Sequence, residues 1–512
     1  MPYDVPSHSQ STAEMDVTSY KPLPRVSRHH SFSDSLSSPT ITPSTSTSRP
    51  ATPKPFTYDL TRKGKTWGKL TLLGDPALSR SNAAFVEPAE EYSGESASVQ
   101  KDEGATVRGE VQLNLDSPEM IHSVKVTARG QLSIGASAPF TFLHVSTMLW
   151  SREMGDPRGE GLGAPHPTKL RGTYTWPFAI PLPRAVVLPV GSPPRERRYA
   201  LPANFWERHE PVRVRYYVIL QVGRGTWRGD LRLPVEFTYV PLSAPPPASL
   251  ARQLAYQEKK HVSPPEADVE GWHTTRSAVV SGLVGEGRYE AEVTCCVSFV
   301  SRETSQVSRR MTSTTCLLTP IPSQLAYTRG SIIPLALTLE SHDAAALDLL
   351  SAPTAPVARL RRRLRYKADI GKVDEEDEEE GADSRGQTGR GSRQGRQTTT
   401  TTPWTESTTV YDLASWWPRE GAQRHTYRRC MDGEIHLKED LRPSTAFAHW
   451  RVEYEVVLFP FDIPSFVGRD KEPLVVQPVE IATAYGPGPR PRAFTAPAYE
   501  FARGESVRIF LR

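Results

Sequence analysis

The chain has 512 residues, enough for two or three domains, and 37% of them are apolar. Its 47 prolines against 34 glycines argue for turns, sheet edges and linkers and against a long helical bundle. A net charge of +4 over this length gives no global field that selects nucleic acid as a partner, and no run approaches the roughly 20 apolar residues of a spanning helix.

The opening MPYDVPSHSQ lacks a basic segment followed by an apolar core, so a cytoplasmic protein without a signal peptide is expected. Residues 1–55 are rich in Ser, Thr and Pro and lack the apolar content to offset ordering entropy, which predicts a disordered tail. Within it, Ser31 follows Arg28 by three residues, as basophilic kinases prefer. Ser38, Thr42 and Thr52 each precede a proline, as proline-directed kinases require. These four are candidate phosphosites, where added charge would suit an arginine-lined pocket. His29 and His30 lie in the same tail, where a rigid metal or catalytic site is not expected.

From Phe56 the texture changes to short alternating segments. Gly64-Lys65-Thr66 mimics the end of a phosphate-binding loop, but Asp59 stands where its first glycine belongs, so no phosphate cradle is predicted. Val111, Leu113 and Leu115 alternate with polar residues. Val212, Val214, Tyr216, Val218, Leu220 and Val222 share one face, with Arg213 and Arg215 on the other. In Trp450–Leu458, Trp450, Val452, Tyr454 and Val456 face one way and Arg451, Glu453 and Glu455 the other. This period of two predicts strands with one buried face, gathered into antiparallel sandwiches.

Composition breaks set the expected boundaries: a first sandwich over 56–245, a linker over 246–270 and a second sandwich over 271–500, followed by a segment 501–512. The linker's LARQLAYQE suits a short helical turn. A disordered insert is expected over about 352–405 in the second sandwich. It begins with a basic run and continues through the acidic stretch Asp374–Glu380 into RG- and Thr-rich tracts. Arg359, Arg361, Arg362, Arg363 and Arg365 in that run form a candidate membrane-facing patch, each basic residue contributing about 1 kcal/mol at an anionic leaflet. The adjacent acidic stretch offers the alternative of internal neutralisation.

Cys295, Cys296, Cys316 and Cys430 show no CxxC pair and no zinc spacing. Cys295 and Cys296 are adjacent and should point to opposite faces of a strand. No GxSxG elbow or HExxH motif occurs, so no enzyme, cofactor or metal is expected.

Read in order, the segments resemble the arrestin clan, and the fungal α-arrestins of basidiomycete type in particular. Val107-Arg108-Gly109-Glu110-Val111 followed by Ile121–Val126 is similar to that family's first strand pair, and Phe142 through Leu149-Trp150 to the next strand. Leu170–Pro183, with Gly172-Thr173-Tyr174-Thr175-Trp176-Pro177-Phe178, is the most specific match, and Leu201–Phe205 continues it with Asn204 in place of a serine. In the second half Tyr327–Leu335, Met431–Leu437 and Pro478–Thr483 complete the series.

The resemblance implies an all-β fold of two arrestin-type, immunoglobulin-like sandwich lobes. It implies an adaptor in protein trafficking, recruited peripherally to plasma membrane or endosomes. Such an adaptor joins membrane transporter or receptor tails to a HECT-type ubiquitin ligase with WW domains for ubiquitination and endocytosis. The ligase contact in that family is a Pro-Pro-x-Tyr motif read in extended form by an aromatic groove. The nearest segment here is Ala496-Pro497-Ala498-Tyr499, with alanine in the first position, which leaves Pro497 and Tyr499 as a candidate degenerate WW ligand. A sorting or coat component of retromer-subunit type, without ligase recruitment, is the alternative. RNA association through Arg385-Gly386 and Arg390-Gly391 is the remote one, since no aromatics are interleaved there.

Overall fold

The computed structural model describes residues 52–495 except 63, 77, 79–81, 87–102, 156–168, 191–194, 226–228, 286–288, 302–324, 368–403 and 422–424. These residues lie in one compact unit that begins at Thr52. The fold is all-β, built as two antiparallel β-sandwich lobes, with two short α-helices among the described residues.

In the first lobe, strands Lys54–Arg62, Lys65–Gly74, Glu103–Glu119 and Leu170–Pro183 form a four-stranded antiparallel sheet. The glycine of the false phosphate motif, Gly64, makes the turn between the first two strands at a φ of 77°, a conformation open to glycine at little cost. The facing sheet contains Ser123–Ile134, Phe140–Ser151, Val212–Gly223 and Leu231–Val240, edged by Ala84–Val86. The expected face of Val212–Gly223 is buried throughout: Val212, Tyr216, Val218, Leu220 and Val222 are all 0% exposed. Gly109 has a packing reason, because a Cβ there would collide with the Thr71 carbonyl and the Phe178 ring.

The second lobe pairs a sheet around Tyr289–Val300, Ile332–Glu340 and Arg428–His436 with one around Ala358–Lys367, Trp450–Leu458 and Val475–Ala482. Gly433 lies directly under Trp416, again leaving no room for a Cβ. The short helix Ala344–Leu350 is capped by Asp343, whose carboxylate accepts from the amides of Ala345 and Ala346.

One boundary differs from expectation. The insert does not begin at 352: Ala358–Lys367 is an internal strand, paired with Trp450–Leu458 on one side and Trp404–Leu413 on the other. Arginines obscure its period of two, in which Leu360, Arg362 and Leu364 share the buried face. The linker carries the expected short helical turn and packs it. Its helix Leu250–Gln257 buries Arg252, which donates to the carbonyls of Ser301 and Gly271 and pairs with Asp268 at 3.6 Å. Ser243 is fastened to Thr483 beyond the last strand of the second lobe.

The lobes share details that the sequence hides. In each, a short strand runs parallel to the last one: Ala84–Val86 beside Leu231–Val240, and Ala326–Thr328 beside Val475–Ala482. In each, a buried tyrosine donates to a carbonyl shortly upstream, Tyr216 to Pro202 at 2.7 Å and Tyr454 to Arg442 at 2.8 Å. Each upstream segment then clamps the last strand. Asn204 bonds the backbone of Phe237 and Tyr239, and the Ser444 hydroxyl accepts from Ile481 N–H.

Candidate functional site

Those two upstream segments converge where the lobes meet. Phe205, just past Asn204, packs against Trp450 of the second lobe at 5.0 Å between ring centroids. Phe447, just past Ser444, packs edge-on against Phe142 of the first lobe at 5.1 Å and lies 5.5 Å from Tyr199. Phe140 meets His449 edge-on at 5.8 Å. The apolar cores of the two lobes therefore run together as one buried cluster.

An ionic layer borders this apolar junction. Arg362, 3% exposed, makes two parallel hydrogen bonds to the Glu207 carboxylate, at 2.7 and 2.8 Å. Arg442 approaches the same carboxylate at 3.8 Å and donates to the Trp206 carbonyl at 3.3 Å. Nearby, Ser407 donates to Glu210, which is 9% exposed. The Arg362 guanidinium also sits 5.7 Å from the Tyr411 ring centre. Burial disfavours its charge, but the hydrogen bonds to Glu207 together with the charge of Glu207 and the Tyr411 and Tyr454 phenols outweigh that and hold its pKa above the usual arginine value. Burial raises the pKa of Tyr411 and of Tyr454, so both phenols stay neutral donors. A forked, desolvated arginine–carboxylate pair is directional as well as strong. Between two bodies it fixes their relative orientation.

The strand setting divides the residues of the expected basic patch between two faces. Arg362 points into the junction, on the opposite face from Arg359, Arg361, Arg363 and Arg365. On that outer face carboxylates interleave with the arginines. Arg361 pairs with Glu455, Arg363 makes two hydrogen bonds of 2.7 Å to Glu406, and Arg365 lies between Glu406 and Glu453. Arg365, Lys367 and Arg451 also gather over the Trp404 ring, at 5.6, 5.0 and 5.0 Å. The run is thus a charge-matched sheet face.

Thr52 is exposed ahead of the first strand, while Ser31, Ser38, Thr42, Pro497 and Tyr499 lie outside the described residues. Sequence reasoning missed Glu207, Glu210 and Arg442, and also Glu434, which is 1% exposed on the strand Arg428–His436. The signal for Glu207 was an acidic residue directly after a hydrophobic motif, Phe205-Trp206-Glu207, which period alone does not single out. Among the described residues no group of three or more His, Cys, Asp or Glu side chains is placed to hold a metal ion. A cleft of about 260 Å³ beside Gln131, Ser133, Arg213, Arg215 and Tyr217 is smaller than ordinary ligand sites of roughly 300–1,000 Å³. No helix among the described residues is long and apolar enough to cross a membrane.

Compared with protein-family models the chain matches none, and compared with curated proteins it again finds no match.

Proposed function

We propose that this chain is a non-catalytic, arrestin-like adaptor that links membrane cargo, the tails of transporters or receptors, to the ubiquitination and endocytosis machinery. The observation that carries the reading is the junction: two sandwiches joined by aromatic packing and by the forked pair of the buried Arg362 with Glu207. Such a junction makes one composite surface from two lobes, which suits simultaneous contact with cargo and partner better than it suits bond chemistry. The ordered arrestin-like motifs support it. Gly109 and Gly433 within them sit at close backbone approaches, and the Leu201–Phe205 motif builds the junction itself. In this reading the protein is cytoplasmic and is recruited peripherally to plasma membrane or endosomes.

Ala496, standing where a WW ligand needs its first proline, favours a second reading, a retromer-subunit-like sorting component without a ligase. Proximity labelling in cells separates the two, combined with a WW-domain ligase pulldown of the native chain and Tyr499→Ala. Tyr499-dependent ligase capture beside transporter neighbours supports the adaptor. Coat neighbours with no ligase capture by either chain support the sorting component.

A further inference from the structure

The chain beyond the last strand, Val475–Ala482, stays on the second lobe as a strap. Thr483 binds Ser243, Tyr485 donates to the Gly330 carbonyl at 3.3 Å, and Gly486 passes hard against the Pro245 carbonyl. At the far end Phe494 stacks on His261, with ring centroids 4.0 Å apart and planes 19° apart. The last described residues then close on Glu434. Its carboxylate accepts from Phe494 N–H at 3.2 Å, from Thr495 N–H at 2.6 Å and from the Thr495 hydroxyl. His436 Nε2 lies 3.0 Å from the same carboxylate.

A carboxylate that is 1% exposed needs these donors, because a buried acceptor without partners costs several times what an ordinary hydrogen bond contributes. Strap and lobe therefore depend on one another through Thr495. The sequence leading to this residue is Arg490-Pro491-Arg492-Ala493-Phe494-Thr495, with arginines five and three positions ahead of the hydroxyl. Arg490 and Arg492 are exposed, and Thr495 is half-buried at the edge of the lobe. Strap ends held by a few bonds open locally without global unfolding, which gives an enzyme access.

We infer that Thr495 is a phosphorylation site for a basophilic serine/threonine protein kinase, and that its modification unfastens the strap from Glu434. In the transfer, Thr495 Oγ1 attacks the γ-phosphorus of ATP. The new O–P bond forms as the bond to the β,γ-bridging oxygen breaks, ADP leaves, and the hydroxyl proton passes to the kinase's base. The product replaces a donated proton with a phosphate of about −1.5 to −2 charge against a buried carboxylate. The hydroxyl donor is gone and like charges face each other, so the strap cannot reseat. Pro497 and Tyr499 follow within four residues of the released anchor.

The test uses the full chain, a purified basophilic kinase and ATP, with site mapping by mass spectrometry and amide exchange read over residues 483–495. Thr495 becomes phosphorylated in the native chain but not in Arg492→Ala or Thr495→Ala. In the modified chain the amides of Phe494 and Thr495 exchange about tenfold or more faster. Unmodified Thr495→Glu, which places a carboxylate against Glu434 without any kinase, reproduces the faster exchange. Phosphate on Ser31 with none on Thr495, or phosphate on Thr495 with unchanged exchange, overturns the inference. Neither readout depends on the adaptor reading, so the two stand or fall separately.

Discussion

Arg362 of the second lobe and Glu207 of the first are joined through two parallel hydrogen bonds, at 2.7 and 2.8 Å, across the junction between the sandwiches. The residues are 155 positions apart in the chain, so this contact holds long-range architecture. Removing one member of a buried pair strands the other, at about 3–5 kcal/mol, whereas replacing both with apolar residues of similar size is often near neutral. Glu207→Ala, which strands the buried Arg362, should lose about 3 kcal/mol in denaturant unfolding. Arg362→Ala should lose less, because the Glu207 side chain is 29% exposed and can be hydrated, and Arg362→Met with Glu207→Leu should recover most of the larger loss. Additive losses in the double variant would mean that the pair is not coupled.

The two tyrosines that fasten the lobes' upstream segments should behave alike. Tyr216→Phe and Tyr454→Phe each remove a donor from a carbonyl, that of Pro202 or Arg442, while keeping the ring. Each should cost about 1–2 kcal/mol in thermal or chemical unfolding. Asn204→Ala should cost at least as much, since its amide serves both Phe237 and Tyr239. A negligible effect at Tyr454 beside a large one at Tyr216 would break the parallel between the lobes.

Most strands were legible because a half-buried strand writes its geometry as a period of two. Val212–Val222 reads the same in sequence and structure. Trp450–Leu458 follows the expected alternation only as far as Tyr454. Glu455 is also buried, because Arg361 lies opposite it on a strand 94 residues earlier and neutralises it there. The same long reach hid the strand Ala358–Lys367. Its arginines suggest a solvated run until Glu207, Glu406 and Glu455 are known to stand against them. Glu434 was opaque for a related reason. It lies on the face of its strand that the C-terminal strap covers, and alternation does not report what a returning chain covers.

Acid should release part of the charge-matched outer face. The hydrogen bonds from Arg363 hold the Glu406 carboxyl below the usual glutamate range. A depressed folded-state value means that its contribution is complete above the unfolded value of about 4.3 and fades as pH falls through the folded value. At 30% side-chain exposure the pair is screened, so about 1 kcal/mol is the expected size. Glu406→Gln should therefore be less stable than the native chain at pH 7 by about that amount, and the gap should close as pH falls below the unfolded value and through the folded one. Asp432 works in the opposite sense. Burial raises its carboxyl against the opposing pull of Arg419, so its contribution is largest at low pH and is lost as pH rises. A Glu406→Gln chain that tracks the native one at a constant offset all the way down the acid limb of the stability curve would exclude the assignment.

Thiol chemistry gives a check on the core of the second lobe. Cys295 and Cys296 do point to opposite faces of the strand Tyr289–Val300. Cys295 is 0% exposed in the core, and Cys296 donates its S–H to the Thr275 carbonyl at 3.3 Å. Burial pushes the Cys295 thiol up to about 11, so at pH 8 only about a thousandth of it is thiolate, the form that reacts. Cys296 is raised by burial as well, though it is only half-buried. With N-ethylmaleimide at pH 8, peptide mapping of the folded chain should find that, of the three described cysteines, Cys430 is labelled first, Cys296 next and Cys295 last. Mild denaturant should erase that order. Labelling of Cys295 as fast as Cys430 in the native chain would mean that the sheet carrying it opens readily, and would count against a single continuous core.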